Sequence, residues 1–107
     1  MRIASGICGE DVKIGDGAVA ERGQRVTIHW QGTLNRGDEF RAATNSFRIG
    51  AREVIAGLDR GVVGMRVGGI RKLRISPHLA YGDRSVPGIP ANAVLNLEVE
   101  LLDVSDQ

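Results

Sequence analysis

The most regular pattern in the sequence lies near the C-terminal end of the chain. Leucine or valine occupies every second position from Leu95 to Leu101, and asparagine or glutamate stands between them. Alternation with a period of two is typical of a β-strand that buries one face and exposes the other. The pattern therefore predicts a sheet with one buried side and one side that faces solvent.

The segment before this strand, residues 77–90, contains all three prolines of the chain and places Tyr81 between two tight turns. Proline fixes φ and glycine permits positive φ, so this composition predicts an ordered loop. Ordered loops beside a rigid strand are frequent places for binding and catalysis. The loop chemistry alone is equally consistent with a plain hairpin connection in which Tyr81 only covers the core.

Strand patterns outnumber helix patterns in the rest of the chain. Alternating or short apolar stretches predict further strands at residues 12–14, 26–30, 39–40, 47–49 and 72–75, with a turn at residues 35–37. His29 falls on the opposite face from Trp30 and is interpreted as a surface residue rather than a general base. The basic cluster that includes Arg71 and Arg74 is interpreted as the solvent-facing side of a strand.

One segment has helical spacing. Val54, Leu58 and Val62 recur every four residues, and Gly64 follows as a terminator. The segment contains two glycines, each of which costs about 1 kcal/mol relative to alanine in a helix, so packing on a sheet must stabilise it. Together these patterns predict an α+β domain in which one face of an antiparallel sheet is covered by a single short helix.

Size, charge and cysteine content narrow the class of protein. The 107 residues predict a single domain over residues 1–107, with residues 1–6 expected to fray. A net charge of +1 argues against a nucleic-acid-binding surface. Because Cys8 is the only cysteine and the two histidines are far apart, no disulfide, metal site or cofactor is predicted. No apolar run is close to the length of a membrane span, which is about 20 residues. The first 15 residues also lack the apolar core of a secretion signal. A cytoplasmic location is therefore expected.

A series of short motifs along the chain matches one protein family. The motifs are Gly15-Asp16-Gly17, Arg22-Gly23-Gln24, Gly32-x-Leu34, Glu53-Val54-Ile55-x-Gly57, Ile75-Ser76-Pro77, Ala80-Tyr81-Gly82, Pro87-Gly88-Ile89-Pro90 and Val99-Glu100-Leu101-Leu102. Each motif is weak alone, but the ordered set at near-family spacing is specific. The chain resembles the FKBP-type peptidyl-prolyl cis-trans isomerases, the immunophilin class that binds macrolide drugs. The resemblance implies a strongly twisted antiparallel sheet wrapped around one short helix, with a shallow apolar pocket between them.

The resemblance also implies which residues form the pocket. Those expected to carry the isomerase reaction are Trp30, Phe40, Val54, Ile55, Leu58 and Tyr81, and those expected to contact the substrate are Arg41, Phe47, Ile89 and Leu97. In the family, the backbone N–H matching Ile55 and the hydroxyl matching Tyr81 donate hydrogen bonds to ligand carbonyls. Several of these apolar residues would also be chosen simply to fill a small core.

The sequence departs from the family pattern at the pocket. Arg41 stands where the family has an aspartate, Leu58 and Leu97 stand where it commonly has aromatic residues, and the stretch from Phe40 to Gly50 is shorter than usual. The smaller aromatic area should weaken ligand binding by about 1–3 kcal/mol in total, so macrolide binding is expected to be weak. The arginine would also invert the charge at the pocket mouth.

Isomerisation of an X–Pro bond requires no nucleophile, metal or acid–base pair. Its barrier of about 18–20 kcal/mol arises from amide resonance, and a dry pocket penalises the planar amide more than the twisted one.

Three functions remain open: an isomerase that acts on X–Pro peptides and flexible protein segments, an FKBP-like binding module with little turnover, and an interaction module that uses a sheet edge or the loop at residues 82–90. We expect a monomer that binds neither nucleic acid nor membranes. The short stretch between Tyr81 and Ile89 leaves no insert for holding unfolded clients, so activity on whole unfolded proteins should be weak.

Overall fold

The computed structural model describes residues 2–34, 37, 39–84 and 86–106. Its strands are β1 (Arg2–Ala4), β2 (Ile7–Lys13), β3 (Arg25–Leu34), β4 (Glu39–Arg48), β5 (Ile70–Ile75) and β6 (Leu95–Ser105). One α-helix, α1 (Ala56–Gly61), lies between β4 and β5, and a turn of 3-10 helix (Pro77–Leu79) follows β5.

The six strands form one antiparallel sheet in the order β1-β2-β5-β6-β3-β4. Strand β6 lies inside the sheet between β5 and β3, and its alternate residues from Leu95 to Leu101 are buried. Because neighbouring strands cover both of its edges, the strand with the strictest alternation also has its backbone donors and acceptors paired on two sides. The predicted α+β class and antiparallel sheet are confirmed.

Helix α1 lies directly on β5 because its two glycines allow a close approach. A Cβ at Gly57 would lie 2.8 Å from Ile75 Cδ1 and closer still to Cγ2, and one at Gly61 would lie 2.6 Å from Leu73 Cδ1. The two positions are four residues apart and therefore share one face of the helix. The helix is shorter than the predicted segment 54–62, since Ile55 has an extended backbone (φ −57°, ψ 148°) and stands as the N-cap residue.

The side chain of Arg71 is buried, contrary to the interpretation that it faces solvent; the residue is only 6 % exposed. Its Nη1 donates to the carbonyl oxygens of Gly61 (2.9 Å) and Val63 (3.0 Å), and its Nε donates to Asp11 Oδ1 at 2.7 Å. The guanidinium thus satisfies the last carbonyl of α1, which has no partner within the helix, and a second carbonyl just beyond the helix. Register explains the error, because residue 71 shares the inner face of β5 with Leu73.

Two predicted strands differ in extent from those of the structure. Residues 39–40 and 47–49 were expected as separate pieces, but β4 is one strand that pairs with β3 from Glu39 to Arg48. In β2 the register shifts between Asp11 and Lys13, so Val12 lies at an irregularity of the ladder and is exposed. The strand ends at Lys13, which leaves Ile14 outside the sheet and 75 % exposed.

The N-terminal residues that were expected to fray form strand β1 in the structure. Arg2 pairs with Cys8 and Ala4 pairs with Ile7 across a tight turn. Ile3 packs close to Gly9, where a Cβ would collide with its side chain. The predicted turn at residues 35–37 lies largely outside the described residues.

Candidate active site

A cleft of about 160 Å³ lies between the sheet, the start of α1 and the loop that carries Tyr81. Its lining residues come from β3, β4, β6, the segment entering the helix, the helix itself and that loop: Trp30, Phe40, Arg41, Asn45, Val54, Ile55, Leu58, Tyr81, Leu95 and Leu97. Three larger depressions, of about 190, 610 and 800 Å³, are lined by described residues that include no phenylalanine, tyrosine or tryptophan. The small cleft is therefore the place where aromatic and aliphatic groups converge.

Two aromatic rings form one wall of the cleft. The centroids of the Trp30 and Phe40 rings are 6.3 Å apart, and the ring planes are tilted by 48°. This separation lies within the range of favourable aromatic pairs. The indole N–H of Trp30 donates to Asn45 Oδ1 at 2.8 Å, so a neighbouring strand holds the indole in one orientation.

A β-bulge turns Phe40 into the cleft. Gly32 pairs with Arg41 and Thr33 pairs with Glu39, which leaves Phe40 as the unpaired extra residue of β4. Its ring lies over Gly32, where an added Cβ would be 2.8 Å from Phe40 Cε1 and nearer still to Cζ. Bulges commonly redirect a side chain beside a functional site. Here the bulge explains how two consecutive residues, Phe40 and Arg41, both line one cleft.

Three buried leucines form the floor of the cleft. Leu58 comes from the helix, and Leu95 and Leu97 come from the start of β6. All three belong to the main hydrophobic core, so the floor is continuous with the protein interior. Such a surface offers no hydrogen-bond partner to water.

The rim carries two hydrogen-bond donors. Among the residues that the structure describes, none accepts from the backbone N–H of Ile55, although the Ile55 carbonyl accepts from Leu58 and Asp59 at the start of the helix. Tyr81 is 38 % exposed, and no described residue forms a hydrogen bond with its hydroxyl. Its loop is held by backbone bonds, including Gly82 N–H to the Pro77 carbonyl at 2.7 Å. Both donors are available to a bound carbonyl oxygen.

Arg41 is the one charged residue among the described residues that line the cleft. It lies on the inner face of β4 opposite Gly32, and its side chain is exposed at the cleft mouth. Within the described part of the chain, no carboxylate forms an ion pair with it. The mouth of the cleft is therefore positively charged.

The cleft brings together most of the residues that were expected there. The eight present are Trp30, Phe40, Arg41, Val54, Ile55, Leu58, Tyr81 and Leu97. Phe47 and Ile89 do not line it: Phe47 is buried in the core opposite Val26, and Ile89 is buried beneath the loop, where it bridges to Val86.

Two further lining residues, Asn45 and Leu95, are not among the predicted site residues. Leu95 shares the alternating run and the face of Leu97, so the pattern itself contains that signal. Asn45 has no comparable signal. Its contact with Trp30 depends on the β3–β4 register. In that register Asn45 pairs with Ile28, which is two residues before Trp30 and on the same face of β3.

The geometry agrees with comparisons to known proteins. The sequence model of the FKBP-type peptidyl-prolyl cis-trans isomerases matches residues 17–102. This chain belongs to that family. The crystal structure of FkpA from Escherichia coli is similar, with a TM-score of 0.84 and 39 % identity over 94 % of this chain and 49 % of that one. The crystal structure of AtFKBP13 also has a TM-score of 0.84, with 36 % identity over 92 % of this chain and 93 % of that one. The predictions of family and FKBP-like fold are confirmed.

Relatives of this FKBP-type chain among curated proteins are longer. FK506-binding protein 4 of Chaetomium thermophilum is 42 % identical over 97 % of this chain and 22 % of its own length. A peptidyl-prolyl cis-trans isomerase of Saccharomyces cerevisiae is 43 % identical over 97 % of this chain and 26 % of its own length. The chain thus spans about a quarter of the length of these relatives.

The described part of the chain contains neither a metal-binding cluster nor a membrane-spanning helix. Among the residues that the structure describes, no group of three or more histidine, cysteine or acidic residues is placed to hold a metal ion. No described helix is long and apolar enough to cross a membrane.

Proposed function

We propose that this chain catalyses cis–trans isomerisation of X–Pro peptide bonds in the cleft between β3, β4 and α1. The observation that carries the proposal is the combination of an aromatic wall, a leucine floor and two free donors at the rim. A planar amide has separated charges that water stabilises. A twisted amide has less charge separation, so water stabilises it less. An apolar cleft therefore favours the twisted transition state relative to the planar ground state.

The cleft residues divide this task between them. The rings of Trp30 and Phe40 and the leucine floor exclude water from the proline ring. The N–H of Ile55 and the hydroxyl of Tyr81 can orient the carbonyl groups on either side of the rotating bond, so that binding energy fixes the flanking chain while the amide turns. No covalent step or proton transfer is needed.

The cleft volume supports a single proline ring as the occupant. A cavity of about 150 Å³ is known to hold one benzene-sized ring, and the cleft measures about 160 Å³. A macrolide would have to lie mostly outside it, beside the exposed Arg41. Weak macrolide binding accordingly stays a prediction, which competition with a macrolide in the peptide assay can check.

The first experiment measures cis-to-trans isomerisation of a short peptide with a hydrophobic residue before proline. We expect Phe40→Ala to reduce kcat/KM strongly because it removes half of the aromatic wall, and Tyr81→Phe to reduce it less because it removes one donor. His29→Ala is the matched control, since His29 is next to Trp30 in sequence but exposed on the opposite face. Equal activity in all four folded proteins would contradict the proposed site.

A second candidate function is a binding module with little turnover. Arg41 at the mouth and the aliphatic floor at Leu58 and Leu97 favour this candidate. A folded protein that binds a proline peptide without accelerating its isomerisation would establish it, and Arg41→Asp should then raise affinity for a macrolide. Binding that survives loss of Tyr81 but not changes in residues 82–90 would instead point to the interaction module.

The proposed clients are proline-containing peptides and flexible protein segments, which would make the chain an assistant in protein folding. The cytoplasmic location and the monomeric state stay predictions. Fractionation with a tagged chain and sedimentation velocity, respectively, would test them.

A further inference from the structure

A second depression, which we call the arginine groove, runs beside the helix and measures about 800 Å³. It lies between β1, the outer side of α1, the 3-10 turn and the segment that connects β4 to the helix. The lining residues that define it here are Arg22, Arg52, Val54, Asp59, Arg60 and Val63. The isomerisation proposed above does not use it.

Among its described lining residues, the arginine groove has three arginines and one carboxylate, that of Asp59. Arg22, Arg52 and Arg60 are exposed, and in the described part of the chain none of them forms an ion pair. The nearest acidic residues in sequence, Glu21 and Glu53, do not line the groove. The groove therefore presents a positive surface that a carboxylate-bearing ligand would complement.

The acidic residue that does line the groove is already engaged. Both carboxylate oxygens of Asp59 accept from the backbone N–H of Gly50, at 3.0 and 3.2 Å. This residue is buried, and its bonds tie the helix to the β4–α1 connection. Its carboxylate is directed at the protein backbone rather than at the three guanidinium groups.

Arg52 has an unusual backbone conformation, which the surrounding structure must impose. Its φ is +61°, in the left-handed region that residues other than glycine, asparagine and aspartate rarely adopt. Such conformations persist only where the surrounding structure imposes them, and they are frequent at functional sites.

The groove also has an apolar side. Val63, which follows the C-terminal end of the helix, is 41 % exposed, and Ile3, Val54 and Leu79 add aliphatic surface from other parts of the chain. A small inorganic anion would leave this surface in contact with water, whereas a peptide with both acidic and aliphatic side chains would cover it. The mixed surface therefore favours an extended peptide over a simple ion.

The groove adjoins the isomerase cleft, because Val54 lines both. An extended chain advances about 3.3–3.6 Å per residue, so a peptide with its proline in the cleft reaches the groove within a few residues. We infer that the arginine groove binds an acidic, partly aliphatic segment of the same polypeptide whose proline occupies the cleft. This inference rests on the proposed isomerase function and adds a preference in clients.

The test compares peptides that share one X–Pro core and differ in a flanking Glu-Glu-Leu, Gln-Gln-Leu or Lys-Lys-Leu, placed on either side of the core. Because each exposed ion pair contributes up to about fivefold to a binding constant, we expect kcat/KM to be about tenfold higher for the acidic flank on one side. Salt at about 0.5 M should remove most of this difference by screening. A fourth peptide, with Glu-Glu-Ser, should lose part of the gain.

The variant that tests the groove carries Arg22→Gln, Arg52→Gln and Arg60→Gln. Glutamine keeps much of the aliphatic stem and meets the same backbone strain at position 52. We expect this variant to lose the acidic preference and to turn over the Gln-Gln-Leu peptide within about twofold of the parent rate, since no chemistry of the cleft is altered.

The control variant removes the same net charge elsewhere, through Arg25→Gln, Lys72→Gln and Arg74→Gln on exposed positions of β3 and β5. If it loses the acidic preference equally, overall charge and not the groove is responsible, and the inference is wrong.

The remaining outcomes separate the two proposals. If all peptides are isomerised at equal rates, the groove inference is wrong and the isomerase proposal stands. If none is isomerised although the acidic peptides bind the parent and not the groove variant, the isomerase proposal fails instead. If single-stranded DNA displaces the acidic peptide and the leucine-to-serine change has no effect, the groove is a phosphate-binding surface and the inference is overturned.

Discussion

The contact between Gly32 and Phe40 yields the sharpest prediction about catalysis. The Phe40 ring lies over Gly32, and a Cβ added there would be 2.8 Å from Cε1 and closer to Cζ. Gly32→Ala is therefore expected to push the ring out of its place in the cleft wall. The backbone at position 32 has no unusual φ, so the substitution acts through space and not through backbone strain.

The size of the effect follows from the displacement. Ordinary contact begins at 3.4 Å, so the ring must move by at least the difference between 3.4 and 2.8 Å. A misplacement of about 1 Å at a reacting group can cost about 100-fold in rate, and we expect kcat/KM to fall by about 10- to 50-fold. Phe40 is only partly buried and can move toward solvent. The free energy of unfolding should therefore change by less than about 1 kcal/mol, since alanine also favours a strand relative to glycine.

A double-mutant cycle distinguishes this mechanism from a general disturbance of the sheet. The assays are peptide isomerisation and urea unfolding of the parent, Gly32→Ala, Phe40→Ala and the double variant. If the added methyl group acts through the ring, Gly32→Ala should have little effect on kcat/KM once Phe40 is alanine. Full activity in Gly32→Ala, or an undiminished loss in the Phe40→Ala background, would refute the reasoning.

Three further changes probe the supports of the cleft and of the helix. Asn45→Ala removes the acceptor of the Trp30 indole, so kcat/KM should fall a few-fold and the free energy of unfolding should fall by about 1 kcal/mol. The fluorescence of Trp30, the single tryptophan, should also change. Unchanged fluorescence would contradict a role of Asn45 in orienting the ring. Gly57→Ala should destabilise the fold by about 1–3 kcal/mol in urea despite the better helix propensity of alanine, and Ile75→Val should recover part of the loss. Arg71→Met should lower the free energy of unfolding by about 2–4 kcal/mol with little change in KM, because it leaves helix carbonyls and a carboxylate without their partner.

Local patterns were sufficient for much of the framework. The alternation from Leu95 to Leu101 predicted a strand with one buried face, and the structure places that strand inside the sheet. The four-residue spacing around Leu58 located the helix, but the predicted segment was too long. Ile55 has an extended backbone, so the helix begins only after it. These successes depend on the period of two in strands and of about 3.6 in helices, which residues near one another along the chain can specify.

The expected cleft came from the resemblance of motifs, and the structure assembles most of it while leaving Phe47 and Ile89 in the interior. Both residues are apolar and adjoin the predicted site in sequence, so residue type alone could not separate a core position from a lining position. What separates them is depth beneath the sheet and the loop, which is a property of three-dimensional packing.

The sequence by itself determined strands β3, β5 and β6, the position of the helix and the kinds of side chain available to the cleft, because these depend on local periodicity and motif order. Only the tertiary structure decided that Arg71 is buried, that Gly57 accommodates Ile75, and that the bulge aims Phe40 across Gly32. Each of these depends on the register of strands distant in sequence. A shift of one residue in that register would turn every side chain of a strand to the other face of the sheet. The local pattern of a single strand does not specify which strand it pairs with.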